Sequence, residues 1–255
     1  MVKFSFLMCI NRNVPFLAAA IDSVLTQTSP DFLFYIIANN CDDDLWDALK
    51  KYQDPRLRLH RTLIGQLSFN LNYGLNLIGD GYVLRMDADD ICLPQRLELT
   101  RKFLIDFSYP DVMGGDAILI DENDVKIGHA RSPIENDAIR SLLWRKCPMI
   151  HPTCAINVRS ILKLRGYLGG FMSEDYDLWL RASRDKKFIF RNIGEPLIKY
   201  RISADQARGN VLGYSEVAGF MLREALLGRG VKFFMAAFFG ILKRYFRSKN
   251  LDNSF

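Results

Sequence analysis

Short apolar runs alternate with amphipathic stretches through the first ninety residues. Residues 4–10 are almost wholly apolar, as expected of a strand covered on both faces. A polar loop follows at 11–15, and Pro15 suits the first turn of a helix. Phe16, Ala19, Ala20, Val24 and Leu25 then recur at helical spacing. A second apolar strand is predicted over 32–38, ahead of the polar run Asn39-Asn40-Cys41-Asp42-Asp43-Asp44. A helix over 45–52, a short strand over 57–60 and a helix over 67–77 come next. Gly79-Asp80-Gly81 signals a turn into a strand over 82–86. The second half is more mixed. It predicts a helix over 97–107, a strand over 112–120 with a turn at Glu122-Asn123-Asp124, and a helix over 139–144. A strand start at 151–156, a helix over 174–183 and strand segments at 188–193 and 197–198 complete the pattern.

Strands and helices alternating at such short intervals predict an α/β fold with a mainly parallel sheet. Ligands of such sheets lie beyond the carboxyl ends of the strands. Asn11, Asn39 and Asp87 each follow a predicted strand, so all three are expected at one crevice.

The chain has 255 residues, enough for one domain with a substantial core and a short appendix. Its net charge of +5 is unevenly placed: Arg223, Arg229, Lys232, Lys243, Arg244, Arg247 and Lys249 crowd the C-terminal end. The remainder is close to neutral, which argues for a local basic patch and against a nucleic-acid-binding surface. Five scattered cysteines without a Cys-x-x-Cys pair, and three histidines, offer neither a disulfide framework nor a structural zinc site. A reducing cytosol is the compartment this usage fits. The apolar N-terminus runs into Asn11-Arg12-Asn13 without a small-residue cleavage pattern and reads as a first core strand. No segment reaches the roughly 20 apolar residues needed to span a bilayer.

Candidate chemistry begins at Asp87-Ala88-Asp89-Asp90. Three carboxylates at the end of a buried strand repel one another and lose hydration. A divalent cation is the simplest compensation, and magnesium or manganese would carry substrate phosphates as well. A solvated acidic turn is the plain alternative. Glu174-Asp175 is the second acidic pair, preceded by Gly169-Gly170-Phe171-Met172-Ser173. A carboxylate there can take a proton from an acceptor hydroxyl. Equally, Ser173 can cap the helix while Glu174 and Asp175 stabilise its positive end. Arg201 can neutralise a diphosphate or form a surface ion pair. His151, ahead of a proline, can face an acceptor or serve the fold.

The ordered set of motifs resembles the bacterial family 2 glycosyltransferases, from about residue 4 to residue 206. The matching pieces are Ser23-Val24-Leu25-Thr26-Gln27-Thr28, Leu71-Asn72-Tyr73-Gly74, Arg85-Met86-Asp87-Ala88-Asp89-Asp90 with Leu93-Pro94-Gln95-Arg96-Leu97, and Ser173-Glu174-Asp175-Tyr176-Asp177-Leu178-Trp179-Leu180-Arg181. The resemblance implies the GT-A nucleotide-diphospho-sugar transferase fold, a mixed, mostly parallel sheet flanked by helices. Its catalytic domain would be residues 1–210. Carried over position by position, Asp175 would be the catalytic base with Glu174 beside it. Asp87 would hold the donor, together with Asn11, Asn39, Arg85 and Arg201. Asp89 would coordinate Mn2+ or Mg2+, with Asp87 and Asp90 in the same site. The implied reaction inverts the anomeric centre without a covalent enzyme intermediate.

Three departures stand out. Cys9-Ile10-Asn11-Arg12 replaces the usual Thr-Tyr-Asn-Arg, and Asn39-Asn40-Cys41-Asp42 replaces Asp-Asp-Gly-Ser. Asn39 can offer a carbonyl to the uracil ring N–H, but no charge. Ser203 stands where the family often has a histidine near the metal.

Residues 231–242 are strongly apolar and residues 243–249 basic and aromatic. As an appendix over 211–255 they fit an interfacial helix on an anionic membrane surface, a helix packed on the catalytic domain, or a contact in a homo-oligomer. The activity that the family resemblance implies is transfer of a hexose, glucose or galactose, from a UDP-sugar donor to a lipid-diphosphate-linked saccharide acceptor. It would make a β-glycosidic bond in O-antigen or capsule synthesis. The expected location is peripheral, on the cytoplasmic face of the bacterial inner membrane. Two rivals predict different behaviour: a metal-dependent nucleotidyl- or phosphotransferase, and a sugar-nucleotide-binding scaffold without turnover.

Overall fold

The computed structural model describes residues 2–202 and 211–252, with side chains at 2–202 and 212–242. Ser203 lies outside the described residues. The first half builds a parallel sheet from β1 (Phe4–Ile10), β2 (Leu33–Asn39), β3 (Leu57–Thr62) and β4 (Tyr82–Met86). The intervening crossovers are α1 (Leu17–Leu25), α2 (Asp43–Lys50) and α3 (Leu67–Ile78). β1 pairs in parallel with both β2 and β4, and β2 with β3. All four strands therefore end on one edge, where Asn11, Asn39 and Asp87 stand.

Beyond β4 the sheet becomes mixed. Its order is β3-β2-β1-β4-β8-β6-β9-β5, with β7 pairing β6 outside this path. The added strands are β5 (Ile91–Cys92), β6 (Val112–Ile120), β7 (Lys126–Ala130), β8 (Ala155–Asn157) and β9 (Phe190–Arg201). β8 runs antiparallel to β4 and β6, and β5 antiparallel to β9, whereas β6 and β9 are parallel. Helices α4 (Arg96–Asp106), α5 (Asn136–Leu142), α6 (Val158–Lys163) and α7 (Glu174–Ala182) complete the layers around the sheet.

Several predicted boundaries move. The expected strand start at 151–156 opens as a 3-10 turn, His151–Thr153, because Pro152 lacks the N–H that a ladder needs. The two predicted strands at 188–193 and 197–198 are one, β9, bulged against β6 around Asp116. Asp42 caps α2 by accepting from the Leu45 N–H at 2.8 Å, so that helix starts earlier than its apolar spacing suggests.

Strand alternation distributes the core between two layers. Phe4, Phe6, Met8 and Ile10 of β1 face one layer, with Ala20, Ile21 and Val24 of α1. Leu7 faces the other, with Leu71 and Leu75 of α3 and Leu178, Trp179 and Leu180 of α7. Each large side chain so buried contributes about 1.5–3 kcal/mol relative to exposure. Gly74 lets α3 lie close on β1, since a Cβ there would come within 2.5 Å of Leu7 Cδ1.

The last two described helices pack on this body. α8 (Val211–Leu226) and α9 (Val231–Asp252) form a helical hairpin. Met221, Ala225, Phe233 and Ala237 join the α7 side of the core. Asp177 of α7 is buried between Arg181 (2.7 Å) and Arg223 of α8. Glu224, fully buried, pairs with Arg184, Arg223 (2.9 Å) and Arg229 (3.1 Å). The other face of α9 leaves Phe234, Met235, Phe238, Phe239 and Ile241 exposed. Among the described residues no helix is long and apolar enough to cross a membrane.

Candidate active site

The end of β4 is clamped from three sides. The Arg85 N–H donates to the Cys154 carbonyl at 2.9 Å, and the Arg96 guanidinium donates to the Arg85 carbonyl at 2.9 Å. Arg96 is fully buried and lies 5.6 Å from the centre of the Phe6 ring. Gln27 braces the following loop from α1. It donates to the Leu93 carbonyl at 2.8 Å and accepts from the Leu97 N–H at 3.0 Å. The Ser23 hydroxyl accepts from the Cys92 N–H at 2.9 Å. Two of the recognisable motifs are thus braces for the acidic turn rather than parts of its chemistry.

Within that turn the three aspartates take different roles. Asp87 pairs with the buried Arg85, whose guanidinium also donates to the Met86 carbonyl. Burial is the largest influence and works against the Arg85 charge, but Asp87, Cys9, Tyr167 and Glu174 together outweigh it and the group ends more basic than usual. Asp89 is half-buried and enters no ion pair among the described residues. Burial, then the charge of Asp87, raises its pKa. Asp90 turns inward: Oδ1 accepts from the Arg201 N–H at 2.9 Å, and Oδ2 is buried without a hydrogen-bond partner among the described residues. Burial followed by the two neighbouring aspartates holds its pKa well above the ordinary range.

Two expected site residues are engaged within the fold. Asp90, expected beside Asp87 and Asp89 at a metal, ties the turn to β9 through Oδ1. Among the described residues no group of three or more His, Cys, Asp or Glu side chains is arranged to hold a metal ion by itself. Arg201, expected to meet a diphosphate, is fully buried. It donates to the Asp89 carbonyl (2.8 Å), the Asp121 carbonyl (2.7 Å) and the Asp124 carboxylate (2.6 Å), and stacks 3.8 Å from the Phe16 ring centre. A diphosphate contact would have to break bonds that hold the acidic turn. What remains for a cation is Asp89 with Asp87 beside it. One or two carboxylates suit magnesium or manganese when phosphate oxygens and water complete the shell.

The second acidic pair opens α7, whose buried Leu178, Trp179 and Leu180 fix its axis. Ser173 at the N-cap makes no side-chain cap bond, so the capping alternative is not the one adopted. The Asp175 carboxylate accepts from the Tyr176 N–H at 2.7 Å and from the Cys147 thiol at 3.6 Å. Its pKa is raised, by burial first. Glu174 is buried and pushed up to about 8, by burial and then by Asp175.

The charge of Asp87 acts on both Glu174 and Asp175, and that of Arg85 on Glu174. The two acidic motifs, nearly ninety positions apart in sequence, therefore share one electrostatic environment beside the carboxyl edge of the sheet. Cys9 at the end of β1 joins it: burial pushes its thiol up to about 12, and Arg85, Asp87 and Glu174 all act on it. His151 belongs to the wall of this region. It is buried, 2.8 Å from the Tyr167 hydroxyl and 4.0 Å from Glu174, and burial holds it neutral. Asn11 is exposed directly after β1, and Asn39 is buried at the end of β2. A separate cavity of about 520 Å³, lined by Asn13, Pro15, Ala48 and Tyr52, touches none of the carboxylates. Cys147 and Tyr167 belong to no motif and were not legible in the sequence.

Comparison with known proteins bears on the family and the fold. The chain is 37% identical over 243 residues to an O-antigen biosynthesis glycosyltransferase of Escherichia coli, WbnJ, covering 94% of this chain and 95% of that one. It is 27% identical to a second Escherichia coli protein, a UDP-Gal:alpha-D-GlcNAc-diphosphoundecaprenol beta-1,3-galactosyltransferase, over 81% and 76% of the two chains. A mannosyltransferase from Pyrobaculum calidifontis, solved with GDP-Man and Mn2+, superposes with a TM-score of 0.68 at 10% identity, covering all of this chain and 76% of that one. The architecture is the GT-A fold, with a mixed sheet flanked by helices. The sequence profile described as Glycosyl transferase family 2 matches residues 5–165, and on that match, extended by the near full-length identity to WbnJ, the chain belongs to glycosyl transferase family 2.

Proposed function

We propose that this chain is an inverting hexosyltransferase that moves glucose or galactose from a UDP-sugar to a polyprenyl-diphosphate-linked saccharide, forming a β-glycosidic bond in O-antigen or capsule assembly. The observation that carries the reading is the electrostatic joining of Asp87 to Glu174 and Asp175. A donor's diphosphate and an acceptor's hydroxyl need to be handled in one place, by groups of different pKa.

In this reading Asp175 is the general base. Its raised pKa makes it a stronger proton acceptor than an ordinary aspartate, and the Tyr176 N–H and the Cys147 thiol hold it in one orientation. Glu174, pushed up to about 8, keeps its proton at neutral pH, so the pair does not carry two negative charges facing the incoming sugar. The acceptor hydroxyl loses its proton to Asp175 while its oxygen attacks the anomeric carbon from the face opposite the diphosphate. One bond forms as the other breaks, and the nucleoside diphosphate leaves with the electron pair. Asp89 and Asp87 would hold Mg2+ or Mn2+, which when bound neutralises charge on that leaving group. Arg85 sets the Asp87 carboxylate by pairing with it from below. Asn11 and Asn39 would bound the nucleoside at the ends of β1 and β2.

The names of the two Escherichia coli relatives support the pathway and the lipid-diphosphate acceptor. The exposed apolar face of α9 and the basic residues that follow it in sequence support a peripheral seat on the cytoplasmic face of the inner membrane. The test is a panel of UDP- and GDP-sugars against undecaprenyl-diphosphate saccharides, with the product linkage read by NMR. A β-linked hexose from a UDP donor is expected, and Asp175→Asn should lower kcat by about a hundredfold or more while donor Kd stays within about threefold. An α-linked product, transfer of phosphate, or near-normal turnover of Asp175→Asn would defeat the reading.

A further inference from the structure

The loop that delivers Glu174 and Asp175 is held from α8. Oε1 of Glu216 accepts from the Phe171 N–H at 2.6 Å; Oε2 accepts from the Met172 N–H at 3.2 Å and from the Ser173 hydroxyl at 2.6 Å. Gly170 turns the chain toward it at φ +85°, where a Cβ would meet Oε2 at 3.1 Å. Side-chain packing does little to fix this loop, because Phe171 is 71% and Met172 40% exposed. Ser173, the N-cap of α7, gives its hydroxyl to Glu216 instead of capping its own helix. Glu216 is itself held in place, since Asp177–Arg223 ties α8 to α7 and Arg184–Glu224 ties it to the turn after α7.

We propose that Glu216 is a positioning residue for transfer: from α8 it fixes the 170–173 loop and thereby sets where Asp175 meets the acceptor hydroxyl. The inference rests on the transferase reading for its catalytic consequence and on geometry alone for the positioning. It makes α8 part of the catalytic unit, although α8 lies beyond residue 210 and far from both acidic motifs in sequence. Charge-assisted bonds to backbone N–H groups are the stronger class of hydrogen bond, and a misplacement of about 1 Å can cost on the order of a hundredfold in rate.

The test compares the full-length protein with Glu216→Ala and Glu216→Gln. In Glu216→Ala the Phe171 and Met172 amides should exchange with D2O at least about tenfold faster, with melting temperature little changed. kcat should fall by about tenfold to a hundredfold with donor KM within about threefold. Glu216→Gln, which keeps one acceptor oxygen, should lie between the two and serves if the alanine variant folds poorly. Unchanged amide exchange overturns the positioning claim. Faster exchange with kcat within about twofold of the parent overturns its catalytic part. If no nucleotide sugar supports transfer by the parent protein, the transferase reading fails separately. Amide exchange and the carboxyl NMR shift of Asp175 in Glu216→Ala then still decide whether the residue positions the loop.

Discussion

Asp89 and Glu174 differ in what surrounds them, and each difference makes a prediction. Asp89 is raised by burial and by Asp87 and has no cationic partner among the described residues. On the proposed reading, Asp89→Ala should lower transfer by at least about a hundredfold, since metal charge stabilisation is worth several kcal/mol. Titration with Mn2+ or Mg2+ should no longer restore it. Full turnover of the parent protein in chelator would remove the metal assignment. Glu174 is raised from 4.5 to about 8. The folded state therefore binds a proton that the unfolded state has released between those values. That contribution to stability is present on the acid side and is lost as pH rises through about 8. Melting curves from pH 5 to 9 should show the parent protein losing stability relative to Glu174→Gln as pH rises. Parallel curves would mean that Glu174 ionises normally.

Among the secondary-structure elements, the family motifs divide into braces and chemistry. Gln27 joins α1 to the loop after β5 through two hydrogen bonds, and Asn72 of α3 holds Tyr167 through two more, both 2.8 Å. Gln27→Ala should cost about 1–3 kcal/mol by leaving buried backbone groups unpaired. Urea denaturation should report this as a lower midpoint with an unchanged m-value; an unchanged midpoint would mean that water replaces the amide. Residues of this kind fix the backbone of the acidic turn, which carries three neighbouring carboxylates.

For the molecule as a whole, the α8–α9 hairpin has two faces. Phe233 and Ala237 enter the core, so α9 is packed on the catalytic body. Phe234, Phe238 and Ile241 recur at i, i+4 and i+7 on the outer face and remain 45–59% exposed. Packing on the domain and seating on a membrane, posed by the sequence as alternatives, are compatible on one helix. Replacing these three residues with serine should weaken co-sedimentation with anionic phospholipid vesicles by at least about tenfold, given about 1.5–3 kcal/mol for each large apolar side chain removed from water. The melting temperature should change little, because the inner face is untouched. Unchanged co-sedimentation would assign the face to another partner.

The sequence by itself determined the alternation of strands and helices through residue 86, the placement of Asn11, Asn39 and Asp87 on one edge, and both acidic motifs. Each of these is a local pattern: apolar runs, turn residues and carboxylates whose spacing is visible along the chain. Only the tertiary structure decided how those carboxylates are used. Arg201 reaches the acidic turn from more than a hundred positions away, and its bonds engage both it and Asp90 within the fold. Glu216 and Cys147 lie in no motif and act through distances that only folding creates. The physical reason is that pKa, ion pairing and burial depend on distance and dielectric in three dimensions, and sequence spacing carries neither.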